Sequence, residues 1–200
     1  AAVLAAPGTA AVPAAALRAL SAAVFADGMG RGGREEAKRA LDAFWRNISR
    51  ASQTGPLQPT PFDQFASGWN LDHSAAFVAF DMLTRMLSPY QFNPFDVNPM
   101  RDVLEHQVDF EALRAHKEMR LFVSATNVRS SRSRIFRTKD LTVEALMASS
   151  CIPHVSPAVH IDGEDYWDGG YLGNPAIYPL IHECPGKDVL IVLVNPLHRN

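Results

Sequence analysis

The chain is predicted to fold as an α/β domain in three layers, α/β/α, around a mainly parallel central sheet. Three observations predict it. Apolar runs of strand length alternate with helical patterns, the order that layered α/β domains produce. Two of those runs, Leu121–Ala125 and Val189–Val194, are too continuously apolar for a half-solvated strand and read as internal parallel strands. Two hundred residues with 47% apolar content are enough for one domain with a full core.

The elements follow in order. Residues 1–20 are Ala-rich: 13 of the first 26 residues are Ala, which sets this stretch apart from the remainder at 21–200. It lacks a basic stretch ahead of an apolar core, so no signal peptide is predicted. Pro7 and Pro13 interrupt it as a membrane span. Gly28–Gly33 is Gly-rich and reads as a flexible link, or more weakly as a phosphate cradle, since no strand with dinucleotide spacing precedes it. Arg34–Ser49 is a helix: Ala37, Leu41, Phe44 and Ile48 recur every three or four residues and define one buried face. Glu35 and Glu36 near its start suit the helix dipole.

Residues 51–70 carry three prolines and two glycines and are predicted to be a loop. Leu71–Leu87 is apolar nearly all round but too short to cross a membrane. Residues 62–95 read either as a mobile cap able to meet lipid or as a helix packed on the core. Pro89–Pro99 is a second loop and Met100–Leu113 a helix. Asn127–Lys139 concentrates arginines, on a hairpin whose basic face either attracts phospholipid head groups or is simply solvated. Thr142–Ser150 is a helix. Val155–Trp167 reads as two strands around an Asp162-Gly163 turn. Asn174-Pro175 opens a helix that runs to Cys184 and is punctuated by Gly186.

Charge and cysteine content narrow the function. A net charge of −2 gives no general pull toward nucleic acid or anionic membrane. Cys151 and Cys184 in a long chain without secretory marks read as free thiols. Asp162, Glu164, Asp165 and Asp168 lack calcium-loop spacing, and Cys151 with His154 is too few ligands, so no metal and no cofactor is expected.

The stretch that carries most information is Tyr166-Trp167-Asp168-Gly169-Gly170. An Asp before two glycines is an ordinary turn signal. The same pattern also ends a strand and leaves the Asp at its carboxyl edge, where sites in α/β sheets gather. With Ala148-Ser149-Ser150-Cys151-Ile152-Pro153 upstream and Asn174-Pro175 downstream, this region resembles the patatin-like phospholipases, which are lipid acyl hydrolases. The resemblance runs over about residues 22–196 and is most specific over 141–175, with a looser match from Asn93 to Phe110.

The resemblance implies a patatin-like fold and a Ser-Asp dyad acting on lipid esters. Asp168 would be the catalytic acid, and Gly169, Gly170, Asn174 and Pro175 its supporting motif. Such a dyad works without histidine, so Tyr166 and Trp167 are expected to wall the carboxylate from water or else to pack in the core. The family's nucleophile is the Ser of Gly-x-Ser-x-Gly, and no Ser here has glycines two residues to either side. The Gly-rich oxyanion segment is also missing. Ala16 aligns with the nucleophile, with Ala14 and Arg18 where glycines belong. Ser124, Ser149 and Ser150 lie near element ends without a replacement elbow. The chain therefore reads as truncated or altered at its amino end, and inactive as it stands. The expected partners are a lipid ester and a membrane surface, not nucleic acid. The expected location is cytoplasmic or peripheral to a membrane. A non-catalytic descendant that binds lipid or protein, and an unrelated nucleotide-binding domain, are the competing readings.

Overall fold

The computed structural model describes residues 14–52, 75–116, 119–172 and 177–184. Helix α1 spans Ala14–Ser52 and is broken at Gly32 and Gly33, the latter at φ 71°, a conformation that glycine adopts at little cost. In a straight helix Gly28 and Ala37 would lie some 13 Å apart. Here a Cβ added to Gly28 would fall 2.5 Å from the Ala37 Cα, so the two halves fold back on each other. The predicted link into the Arg34 helix is thus present but confined to Gly32 and Gly33, the non-helical part of Gly28–Gly33. Gly28 and Gly30 are helical; Gly28 lets the second half of α1 approach and Gly30 lets the His116 ring approach. The predicted apolar face is present: Ala37, Phe44 and Ile48 are buried and Leu41 is partly so.

Helices α2 (Ala75–Met86) and α3 (Pro89–Phe92) follow. The predicted helix over Met100–Leu113 is two helices, α4 (Pro99–Gln107) and α5 (Phe110–Ala115). Asp109 separates them because its carboxylate accepts the amides of Glu111 and Ala112 at 3.0 and 2.9 Å and starts a new helix.

The sheet contains β1 (Phe122–Asn127), β2 (Ser133–Arg137), β3 (Val159–Ile161) and β4 (Glu164–Asp168) in the order β2-β1-β4-β3. Both predicted hairpins are present, and Asp162 and Gly163 take positive φ (53° and 79°) as a tight two-residue connection requires. Among the described residues every strand pair is antiparallel, which corrects the expectation of a mainly parallel sheet. The physical reason is connectivity. β1–β2 and β3–β4 are joined by short turns, which reverse the chain, and the crossover through α6 (Val143–Ser150) seats β4 antiparallel to β1. The Asp188–Val194 run lies outside the described residues.

Helix α6 touches β1, β3 and β4 on one side and α1 on the other. That position between two layers explains why Ala145–Ser150 are all buried. Thr142 caps its start by accepting the Ala145 amide at 3.2 Å. Helix α7 (Tyr178–Glu183) falls within the predicted Asn174–Cys184 segment and is tied to β2 by Arg137–Glu183 at 2.6 Å. The described residues form an α/β arrangement, with a four-stranded sheet and packed helices.

Candidate active site

Asp168 is the last residue of β4. It is 7% exposed and shares a sheet face with Ala125, its partner on β1, and with Tyr166 two residues back. Its hydrogen bonds include contacts on both sides of its main chain and on its carboxylate. Its N–H donates to the Cys151 carbonyl at 2.9 Å, its C=O accepts from the Thr126 hydroxyl at 2.9 Å, and its Oδ1 accepts the Gly170 amide at 2.8 Å. The last bond makes Asp168 the cap of a 3-10 turn over Gly169–Tyr171.

Gly169 is required for space. It does not take the left-handed conformations that often select glycine, but a Cβ there would overlap the carbonyl and hydroxyl of Ser124. Gly170 contributes through its amide. Asn174 and Pro175 lie outside the described residues. Ala16 falls in the first turn of α1 as described.

The aromatic pair divides between the two faces of the sheet. Tyr166 lies on the same face as Asp168, is buried, meets Phe136 edge-on at 6.1 Å and accepts a hydrogen bond from Arg134 at 3.0 Å. Trp167 projects to the opposite face because side chains alternate along a strand, so it does not wall the carboxylate.

The serines are differently placed. Ser124 presses on Gly169 from β1. Ser149 and Ser150 are buried, and the Ser150 hydroxyl donates to the Leu146 and Met147 carbonyls within its own helix. Cys151 is buried, and its thiol is pushed up to about 12, first by burial and then by the charges of Asp96 and Asp168. Its Sγ lies 3.1 Å from the Pro157 carbonyl, while His154 is exposed, so the two do not converge as ligands. Among the described residues no group of three or more His, Cys, Asp or Glu is arranged to hold a metal. A water-sized hollow lined by Asp96, Arg101, Ser150, Cys151 and Ser156 borders the site and is too small for an acyl chain.

The basic cluster is largely committed. Arg129 pairs with Glu164, Arg134 with Asp162 at 2.5 Å, and Arg137 with Glu183. The Arg134 guanidinium also lies 4.6 Å from the Phe136 ring centre. These arginines serve the two hairpins and α7, as a structural basic face would.

Thr126 and the Cys151 carbonyl, which hold the backbone of Asp168, were not among the sequence candidates. Both meet it only through strand register and the turn after α6, for which no local pattern exists. No helix among the described residues is long and apolar enough to cross a membrane. A family model, that of patatin-like phospholipases, matches residues 1–181, a span that includes the Ala-rich segment. No curated protein and no solved structure matches the chain.

Proposed function

The chain belongs to the patatin-like phospholipase family of lipid acyl hydrolases, and from that premise we propose that Asp168 is the acid of a Ser-Asp site for carboxylic esters of lipids, with the nucleophile's position held by Ala16. The observation that carries this reading is the placement of Asp168: buried, at the carboxyl end of β4, with its main chain and one carboxylate oxygen all hydrogen-bonded.

In a complete dyad the carboxylate takes the hydroxyl proton as the oxygen attacks the ester carbonyl. The positive end of the nucleophile's helix stabilises the oxyanion. The proton then passes to the leaving alcohol, and water repeats the cycle on the acyl-enzyme to release a fatty acid. A carboxylate of ordinary pKa near 4 is a weak base for a hydroxyl, so it must be close and poorly hydrated. The burial of Asp168 supports that requirement. No metal or cofactor is needed.

With Ala at position 16 the chain has no hydroxyl there to activate, and the proposal includes its inactivity. Rebuilding the elbow tests it. The combined variant Ala14→Gly, Ala16→Ser, Arg18→Gly is expected to gain p-nitrophenyl butyrate hydrolysis and labelling by a fluorophosphonate probe. Adding Asp168→Ala removes both. Turnover by the unaltered chain that is lost in Asp168→Ala overturns the assignment of inactivity.

A second reading, a non-catalytic lipid- or protein-binding descendant, is favoured by one observation: the Asp168 carboxylate already serves its own turn through the Gly170 amide. A rebuilt elbow that labels with neither probe nor ester favours it. Both readings place the protein in the cytoplasm or at a membrane surface. Exposed Val78, Met82, Met86, Tyr90, Phe95 and Val97 on and after α2 support membrane contact. Met82→Glu with Met86→Glu is then expected to weaken co-sedimentation with phosphatidylcholine vesicles several-fold.

A further inference from the structure

We propose that Thr126 is a positioning residue for Asp168, its hydroxyl fixing the strand-end turn from which the carboxylate projects. This rests on the reading of Asp168 given above. Thr126 is in register with Trp167 and Ala125 with Asp168, so the β1–β4 ladder ends at Asp168. There the chain turns away at φ −46°, ψ 129° into the 3-10 turn. A departing strand leaves its last carbonyl without a ladder donor, and a buried carbonyl needs one. The Thr126 hydroxyl supplies it from within the neighbouring strand, at 2.9 Å and 7% exposed.

The N–H of the same residue is held from the other side. Cys151, directly after α6, offers its carbonyl at 2.9 Å, past the point where β3 stops pairing with β4. One residue on, Gly169 lies hard against Ser124, so the turn cannot relax toward β1. Ser124 and Thr126 therefore hold the turn in complementary ways, one by contact and one by a directed bond. The Gly170 amide reaches Oδ1 only while the peptide between them keeps this orientation. Loss of the Thr126 hydroxyl frees the Asp168 carbonyl to rotate, and the carboxylate loses its amide partner. A serine keeps the donor, whereas a valine keeps the shape and removes it.

Native-state hydrogen exchange on the full chain, followed by NMR, tests this without any need for catalysis. Thr126→Val is expected to speed exchange of the Gly170 and Asp168 amides about tenfold relative to those of Leu146 and Met147 in α6, as local opening does. Thr126→Ser is expected to restore the original rates. Unchanged exchange at Gly170, equal acceleration throughout α6, or no recovery with Ser each overturns the proposal. If Thr126→Val does not fold, Thr126→Ala provides the same comparison. In the chain with the rebuilt elbow, Thr126→Val is further expected to lower kcat about tenfold at unchanged KM, and Ser to restore it. An inactive rebuilt elbow counts against the reading of the site, while the exchange rates still decide the role of Thr126.

Discussion

Asp27 and Asp168 are both buried, at 3% and 7% exposed, and the protein treats them in opposite ways. Asp27 lies within α1, facing the start of α5. Its Oδ1 accepts the Asp109 amide at a long 3.3 Å. Its Oδ2 lies 2.5 Å from Arg31 Nη2 but makes no hydrogen bond of good geometry among the described residues. Burial pushes this carboxyl above its ordinary value, outweighing the Arg31 charge, the Asp109 amide and the close approach of the Arg31 guanidinium as a donor, and the Asp109 charge adds to the rise. Asp168 has its main chain engaged on both sides and its Oδ1 on a turn amide. Burial of a carboxylate is therefore no mark of a site by itself. What separates the two is the partner of the carboxylate: Asp168 Oδ1 takes a 2.8 Å bond from an amide of its own turn, whereas Asp27 Oδ1 has, among the described residues, only the 3.3 Å bond from Asp109.

The contrast can be broken most forcefully at the glycines beside each acid. Gly169→Ala drives a methyl into the backbone of Ser124, and a loss of about 3 kcal/mol is expected in urea denaturation followed by circular dichroism. Gly28→Ala meets the Ala37 Cα at 2.5 Å, a comparable collision. Replacing a helical glycine returns about 1 kcal/mol, so the net loss is expected to be smaller, about 2 kcal/mol.

The acids themselves come next. Asp27→Asn removes a charge from a poorly satisfied site and is expected to stabilise by about 1 kcal/mol at pH 7. The folded chain holds the Asp27 proton more tightly than the unfolded chain. Its stabilising contribution is thus full below the ordinary value of 3.8 and is lost as pH rises through the raised value. Thermal melts from pH 3 to 7 are expected to show that loss in the unaltered chain and less of it in Asp27→Asn. An equal pH slope in both proteins would remove Asp27 from the comparison. The smallest effect is chemical. The Cys151 thiol, pushed up to about 12, is expected to resist iodoacetamide at pH 8 in the folded state, whereas half-buried Cys184 reacts. Rapid labelling of both thiols would show that the turn beside Asp168 opens readily.

Local signals carried much of the architecture. The Asp162-Gly163 turn, the apolar β1 run and the Thr142 start of α6 depend on neighbours within a few residues and were legible. Strand direction was not, because an apolar run on both faces reports burial and says nothing of orientation. Nor was the helical state of Gly28 and Gly30, whose value lies in what packs on them from distant positions. At the site, Asp168 stood out by its motif. Thr126 did not, since a lone threonine in a strand looks alike whether its hydroxyl meets water or a carbonyl 42 residues away. Asp27 was equally silent, as an acid in a helix reads as solvated until its surroundings are known.

The reversal at Gly32 and Gly33 also predicts an order of assembly. Gly28 meets Ala37 only nine residues later, so this helical hairpin closes a very short loop. The Thr126–Asp168 contact closes one of 42. Closure entropy grows with loop length, and local contacts form fastest. The α1 hairpin is thereby expected to form before the strands pair. A residue other than glycine at position 33, forced to φ 71°, would slow refolding more than it hastens unfolding.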